Sequence, residues 1–148
     1  MIIVPFEEKY VPAVSEIEKE CFSVPWSEKS LREELTNPQA FFLVCLIEQE
    51  VAGYIGIIDI CGECNVTNVA VSKKYRKQGV ASALIEKAVD DAKKRKSDFI
   101  TLEVRKSNTP ALNLYIKHGF STVGERKNFY SHPTEDAILM TKYFKEEG

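Results

Sequence analysis

The segment Arg76-Lys77-Gln78-Gly79-Val80-Ala81 has the composition and the position of a phosphate-binding turn. It follows a β-branched run, Val66 to Val71, and precedes a segment whose apolar residues recur at helical spacing. The first N–H groups of a helix lack partners within it and share the positive end of its dipole, so they bind phosphate oxygens. Gly79 allows close approach to a ligand because it has no Cβ. The pattern therefore predicts a pyrophosphate site at this turn.

Four cations surround the turn in a chain whose formal net charge is -2, namely Lys73, Lys74, Arg76 and Lys77. They can attract a polyanion locally, although an ordinary solvated charged surface explains them equally well. Gly79 is followed by Val80-Ala81-Ser82 instead of a lysine, which excludes a triphosphate-binding P-loop. The dinucleotide-binding fingerprint requires three spaced glycines, and this segment contains only Gly79, so a dinucleotide site of that type is excluded.

The turn resembles the acetyl-CoA loop of the GCN5-related N-acetyltransferase (GNAT) superfamily. That loop reads Gln or Arg, two residues, Gly, one residue, and Gly or Ala, and Arg76, Gly79 and Ala81 occupy these positions. A later stretch is similar to the RimI-type family, the ribosomal-protein-alanine N-acetyltransferases: it comprises Leu102-Glu103-Val104-Arg105-Lys106-Ser107-Asn108, Ala111, Leu114-Tyr115 and Gly119-Phe120. The likeness extends from Pro25-Trp26 almost to the C-terminus. It implies an α/β GNAT fold, with a mixed, mostly antiparallel central sheet and helices on both faces, and acetyl-CoA as cosubstrate.

Glu103 is the candidate general base. It lies in a predicted strand and alternates with Ile100, Leu102 and Val104, so its side chain points away from theirs. A carboxylate at that place can take a proton from an amine directly or through one water. The alternative is that Glu103 forms an ion pair with Arg105, two residues along the same face.

Tyr115 corresponds to the tyrosine that the family proposes as general acid toward the sulfur of CoA. Its alternative role is that of a core residue whose hydroxyl finds some other partner. An ordinary tyrosine has a pKa near 10 and a thiol one near 8.5, so donation is uphill by about 2 kcal/mol. We therefore expect loss of Tyr115 to be less damaging than loss of Glu103.

The resemblance also implies the cofactor contacts. Backbone groups of Val69, Ala70 and Val71 would serve the acetyl and pantetheine arm, and Asn108 would reach the same arm. The pyrophosphate would be wrapped by the turn itself, that is by Lys77, Gln78, Gly79, Val80, Ala81 and Ser82. Asn108 can equally cap the helix that Thr109-Pro110 opens.

Recognition of the acceptor is assigned by the same resemblance to Pro25, Trp26 and Tyr130. Trp26 has an alternative role, because it precedes the predicted cap Ser27 and can staple onto Leu31. Relatives often carry two tyrosines where this chain has Phe129-Tyr130, so only Tyr130 is carried over.

The function implied is acetylation of the N-terminal α-amine of a protein, a ribosomal protein beginning with alanine, by direct attack in a ternary complex. Two alternatives stay open: acetylation of a small amine or a lysine side chain, and a non-catalytic acyl-CoA-binding regulatory module. Nucleic-acid binding is disfavoured by the net charge of -2 and by the lack of basic residues interleaved with aromatic ones.

The elements that must position these residues follow from periodicity. Predicted strands cover 2–4, 41–47, 52–60, 65–72, 99–104, 120–126 and 137–144. Predicted helices cover 11–22, a segment from Ser27 to Asn37-Pro38, 79–96 and 108–118, the last ended by Gly119. Gly62-Glu63 reads as a hairpin turn.

Length and composition agree with one domain spanning residues 1–148, of which 44% are hydrophobic and 28% charged. The longest apolar run, Ala40 to Ile47, is far shorter than the roughly 20 residues of a membrane span. The N-terminus lacks a basic segment, so the chain is expected to be cytoplasmic. Cys21, Cys45, Cys61 and Cys64 are expected to be free thiols, and no metal site is predicted because Cys61 and Cys64 lack further ligands nearby.

Overall fold

The computed structural model describes residues 1–144 of the chain. Within that range the strands are β1 (Ile2–Pro5), β2 (Leu43–Ile47), β3 (Glu50–Ile60), β4 (Glu63–Val71), β5 (Phe99–Arg105), β6 (Ser121–Tyr130) and β7 (Glu135–Tyr143). The helices are α1 (Val11–Cys21), α2 (Glu28–Leu35), α3 (Val80–Lys94) and α4 (Thr109–Lys117). The predicted elements are therefore present, with ends that coincide or differ by up to four residues.

The strands form a single sheet in the order β1-β2-β3-β4-β5-β7-β6. Neighbouring strands are antiparallel except β4 and β5, which run parallel because α3 carries the chain back between them. β7 lies between β5 and β6, although it is the last strand in the chain. The prediction of a mixed, mostly antiparallel sheet is confirmed.

Helices cover both faces of the sheet, as predicted. α3 and α4 pack on one face over a core that includes Leu84, Ile85, Ile100 and Leu102. α1 and α2 pack on the other face with residues such as Val14, Leu31 and Phe42. Each helix contributes one apolar stripe, so the two cores lie on opposite sides of the central strands. None of the helices within residues 1–144 combines the length and the apolar character needed to cross a bilayer.

Two differences from the prediction concern the β3–β4 turn and the end of β6. The β3–β4 turn is made by Cys61 and Gly62, both with positive φ (52° and 87°), and not by Gly62-Glu63. Glu63 instead begins β4, pairing with Ile60. β6 continues past Arg126 to Tyr130, since a register shift there lets the strand resume pairing with β7 at Glu135. All four cysteines are free thiols, as expected.

The sheet opens between β4 and β5. Parallel pairing covers only Glu63↔Phe99, Cys64↔Ile100 and Asn65↔Thr101. Directly afterwards β4 contains a bulge, because Val66 and Asn68 pair with adjacent residues of β3 and leave Thr67 as the extra residue. A bulge bends and twists its strand, so β4 turns away from β5 at this point. The two strands then diverge and form the walls of a cleft.

Candidate active site

The cleft between the diverging strands has a volume of about 740 Å³. It brings together residues from six parts of the chain that the sequence singled out separately: Trp26, Val69, Glu103, Asn108, Tyr115 and Tyr130. The other residues predicted for the site, including the phosphate-binding turn, are not among its lining residues. The cleft therefore holds the candidate chemical groups, and the turn lies outside it.

Glu103 and Tyr115 reach the cleft from opposite faces of the sheet. Along β5, Leu102 and Val104 are buried beneath α3 and α4, whereas Glu103 alternates with them and is half-buried on the other face. Tyr115 belongs to α4 and packs in the core with Leu102 and Val104. Both can line one cavity only because β4 and β5 are separated there. A carboxylate and a phenol thus lie on two sides of a single opening.

The Tyr115 side chain is buried, with 7% of its surface exposed, and its ring packs against Phe120 at a centroid distance of 5.8 Å. Burial raises the pKa of Tyr115 to about 12, with a smaller contribution from Tyr130. The phenol therefore keeps its proton throughout the neutral range and is a hydrogen-bond donor toward the cleft.

Arg105 holds together the wall of the cleft that β5 and the β6–β7 connection form. Its guanidinium donates to the carbonyl oxygens of Pro133 (2.9 Å) and Ser131 (3.1 Å) and pairs with Glu135 at 3.3 Å. It also stacks on the ring of Tyr130, 4.5 Å from the centroid. Planar guanidinium groups combine these roles well, since they offer several fixed donors and an exposed face. The alternative ion pair between Glu103 and Arg105 is therefore wrong, because Arg105 is engaged by the β6–β7 connection.

Tyr130 lines the cleft, where it contacts Arg105 and makes an edge-to-face contact with Phe129 at 5.1 Å. Its pKa is raised to about 12, first by burial and then by the negative charge of Glu103, while Arg105 opposes the shift. Glu103 and Tyr130 both line the cleft.

The phosphate-binding turn has the predicted backbone features. Gly79 has φ +82°, and a Cβ added there would meet no protein atom within 4 Å. It stands at the N-cap of α3, where no side chain accepts the first N–H groups of the helix. These donors therefore face open space, an arrangement suited to a pyrophosphate. Lys77 also has a left-handed φ, +64°, which bends the chain around this space.

The side chains near the turn have other contacts. Val80 is buried, and Ser82 Oγ lies 2.7 Å from His118 Nε2, so both side chains are engaged within the protein. Lys74 pairs with Glu50 at 3.2 Å, and Arg76 contacts the sulfur of Cys21 at 3.6 Å. The basic cluster is thus partly engaged within the protein.

The backbone N–H and C=O groups at the end of β4 point alternately toward β3 and toward the side where β5 has diverged. The Ser72 N–H bonds to Ala52 on β3 at 2.8 Å, and the carbonyl of Ala70 also points toward β3. Because successive residues of a strand alternate their hydrogen-bonding direction, Val69 and Val71 direct theirs away from β3, toward the diverged side. Of the three residues predicted to serve the cofactor arm, Ala70 therefore does not offer its backbone there.

Two predicted residues have the structural roles that were their alternatives. Asn108 caps α4, its side-chain oxygen accepting from the Ala111 N–H at 3.3 Å, and it also lines the cleft. Trp26 precedes the cap Ser27 and packs in the cluster that contains Leu31, with its ring 6.0 Å from that of Phe42. Pro25 is exposed and does not line the cleft.

Sequence reasoning missed several residues at this site. Val24 and Phe129 line the cleft and are exposed at its rim (65% and 46%). Nothing in the sequence context of Val24 marks it, and Phe129 is left out of the predicted site because relatives often carry a tyrosine there. The role of Arg105 is visible only once the β6–β7 connection is folded over β5. Within residues 1–144 there is no group of three or more His, Cys, Asp or Glu that could hold a metal ion.

Comparison with known proteins agrees with this geometry. The profile of the Acetyltransferase (GNAT) family matches residues 11–120. A relative from Bacillus subtilis (strain 168) is 40% identical over 128 residues, 86% of this chain and 85% of that protein. The [ribosomal protein bS18]-alanine N-acetyltransferase of Escherichia coli (strain K12) is 35% identical over 136 residues, 88% of each chain.

A solved structure extends the likeness to the whole fold. The crystal structure of the ribosomal-protein-S18-alanine N-acetyltransferase from Escherichia coli superposes with a TM-score of 0.91 at 30% identity, covering 99% of this chain and 96% of that one. The fold, the cleft with its carboxylate and phenol, and the relatives lead to the same assignment. The chain belongs to the GNAT family of acetyltransferases, and it is an N-acetyltransferase whose cosubstrate is acetyl-CoA.

Proposed function

We propose that this chain acetylates the N-terminal α-amine of ribosomal protein bS18 at an alanine. The support from comparison is the substrate named for the Escherichia coli relatives. The observation that carries the proposal is the position of Glu103 and Tyr115 on two sides of one cleft. The reaction would take place in the cytoplasm, where ribosomal proteins are made.

Acetyl-CoA supplies an acetyl group activated as a thioester. Residues of this chain fit it: the open N-terminus of α3 at Gly79 suits the pyrophosphate, and the backbone groups of Val69 and Val71 that point away from β3 suit an extended arm. The Val71 carbonyl also accepts from the Cys21 thiol at 3.4 Å. Asn108 lines the cleft and would contact the same arm. The basic residues Arg76 and Lys77 add a favourable field.

The chemistry uses the two sides of the cleft. The amine nitrogen attacks the carbonyl carbon, so a C–N bond forms and the C–S bond breaks. Glu103 accepts the proton lost by the nitrogen, directly or through one water, and the Tyr115 hydroxyl donates a hydrogen bond to the departing sulfur. No covalent acetyl-enzyme is required, because attack is direct.

An α-amine is the acceptor that this arrangement serves most readily. An α-amino group has a pKa near 7.7 to 8.0 and lysine one near 10.4, so a neutral lysine costs about 3.5 kcal/mol more to prepare. A single carboxylate is sufficient to accept the proton of an α-amine. Trp26, Val24, Phe129 and Tyr130 surround the entrance, which suits the first residues of an extended chain.

The test is acetylation of synthetic peptides by the purified chain. A peptide with the N-terminal sequence of bS18 should be acetylated at its α-amine, as located by fragmentation mass spectrometry. The same peptide with a blocked α-amine and an internal lysine, and a polyamine, serve as competitors. Preference for either competitor would refute the proposal in favour of a lysine or small-amine acetyltransferase.

The Glu103→Gln variant separates an enzyme from a binding module. It should hold CoA with unchanged affinity by calorimetry and lose most turnover, about 10²–10⁴-fold, as expected for removal of a general base. Turnover equal to that of the unaltered chain would show that Glu103 is not the base.

A further inference from the structure

A buried carboxylate lies on α1, beside the cleft but outside its lining. Glu18 has no exposed surface, and its two oxygens accept three hydrogen bonds. The donors are the Trp26 N–H (2.8 Å), the Tyr54 hydroxyl (2.6 Å) and the Asn68 amide (3.0 Å). The Asn68 amide also contacts the Tyr54 hydroxyl at 3.2 Å. Glu18 is thus the acceptor at the centre of a closed network.

The network joins four elements at the acceptor side of the cleft. Trp26 belongs to the connection between α1 and α2, Tyr54 to β3, and Asn68 to β4 immediately after the bulge. Trp26 and Asn68 line the cleft. The bond to Trp26 is made by its backbone, so it fixes the path of the chain and leaves the indole free to face the cavity and Phe42.

Stability alone does not call for a carboxylate at this position. Glu18 occupies the apolar stripe of α1 with Val14, Ile17 and Cys21, where an apolar residue would pack without desolvating a charge. Burial raises the pKa of Glu18, although its three hydrogen bonds oppose the shift. Burial, and after it the Glu18 carboxylate, raises the pKa of Tyr54. Buried ionic groups often cost stability compared with apolar residues of similar volume.

We propose that Glu18 is a positioning residue for the acceptor, holding the Trp26 backbone and Asn68 in the arrangement that receives the substrate N-terminus. Glu18 acts through these two residues and touches neither the reacting atoms nor the phosphate-binding turn. It should therefore govern the KM for the acceptor and leave the KM for acetyl-CoA unchanged. The inference rests on the proposed function, in that an acceptor chain enters beside Trp26.

The test compares Glu18→Met and Glu18→Gln with the unaltered chain. Methionine keeps the volume and removes both acceptors, so the KM for the bS18 peptide should rise about tenfold or more while that for acetyl-CoA stays within about twofold. Glutamine keeps one acceptor oxygen and should give an intermediate rise, about threefold. Glu16→Met is the matched control, because Glu16 lies on the same helix with a side chain that is 72% exposed. It should change neither value.

Trp26 supplies a readout that does not depend on activity, because it is the chain's one tryptophan. Quenching of its fluorescence by acrylamide should increase in Glu18→Met, less in Glu18→Gln, and remain unchanged in Glu16→Met.

If the peptide were not a substrate, the unaltered chain would show no turnover, while the quenching series would still report whether Glu18 holds this segment. Unchanged quenching and acceptor KM, or an equal rise in both KM values, would overturn the proposal. If Glu18→Met does not fold, Glu18→Gln decides by the same two measurements.

Discussion

Replacing Tyr115 by Phe isolates the contribution of one hydroxyl. The Tyr115 ring packs against Phe120, and a phenylalanine keeps that contact. Burial, and to a smaller extent Tyr130, raises the pKa of Tyr115, and its hydroxyl has no hydrogen-bond partner among the residues that the structure describes. The substitution therefore removes no protein hydrogen bond, and the free energy of unfolding should change little.

The expected loss of activity follows from the pKa. With the Tyr115 pKa at about 12 and a thiol near 8.5, complete transfer of the proton to a thiolate is uphill by about 4.8 kcal/mol. Tyr115 thus stabilises the developing charge on sulfur as a hydrogen-bond donor, and full proton transfer before C–S cleavage is disfavoured. Hydrogen bonds to charged groups contribute about 1.5–3 kcal/mol, which corresponds to a fall in kcat of about 10- to 150-fold.

The assay is steady-state acetylation of the bS18 peptide at saturating acetyl-CoA. Tyr143→Phe is the matched control, because Tyr143 is 64% exposed on β7 and does not line the cleft. It should leave kcat unchanged. A Tyr115→Phe variant with full activity, or with a loss beyond about 10⁴-fold, would refute the reasoning from the buried phenol.

Three further predictions follow from the same site. Because the Tyr115 pKa is about 12, kcat/KM for the peptide should rise from pH 6 to 9 as the acceptor amine deprotonates, and a descending limb below pH 10 that Tyr115→Phe abolishes would contradict this. Gly79→Ala places an L-residue at φ +82° with open space around the methyl group, so the free energy of unfolding in urea should fall by about 1–2 kcal/mol. The same variant should bind CoA about tenfold more weakly by calorimetry, and an unchanged CoA affinity would show that the ligand does not approach Gly79. Burial raises the pKa of Glu18, so the folded protein holds that proton more tightly than the unfolded chain: the resulting stability is complete below pH 4.5 and is lost as pH rises through the higher folded pKa. The unaltered chain minus Glu18→Gln difference in the free energy of unfolding should therefore fall as pH rises from 4.5. A difference that does not depend on pH would contradict the raised pKa of Glu18.

Local patterns in the sequence were sufficient for much of the site. The alternation Ile100, Leu102, Val104 placed Glu103 on the opposite face, and the structure has that alternation. Gly79 before an apolar-periodic helix identified an open helix start. Short-range signals succeed at these positions because strand and helix periods are set by the backbone itself. The family resemblance added the link between Glu103 and Tyr115, which spacing alone does not provide.

Contacts distant in sequence could not be predicted. The bulge at Thr67, which separates β4 from β5 and so creates the cleft, depends on register against β3 and leaves no mark in the local pattern. Local sequence around Glu18 indicates no role for it, because Tyr54 and Asn68, which are 36 and 50 residues away, reach its oxygens only in the folded chain.

By itself, the sequence determined the strands and helices, the faces of their side chains and the family to which the chain belongs. The tertiary structure decided which side chains share one cavity. Glu103 and Tyr115 lie on opposite faces of the sheet and meet only where its hydrogen bonding is interrupted. Their juxtaposition results from long-range strand pairing and packing, which depend on contacts between segments far apart in the chain and not on the periodicity of any one of them.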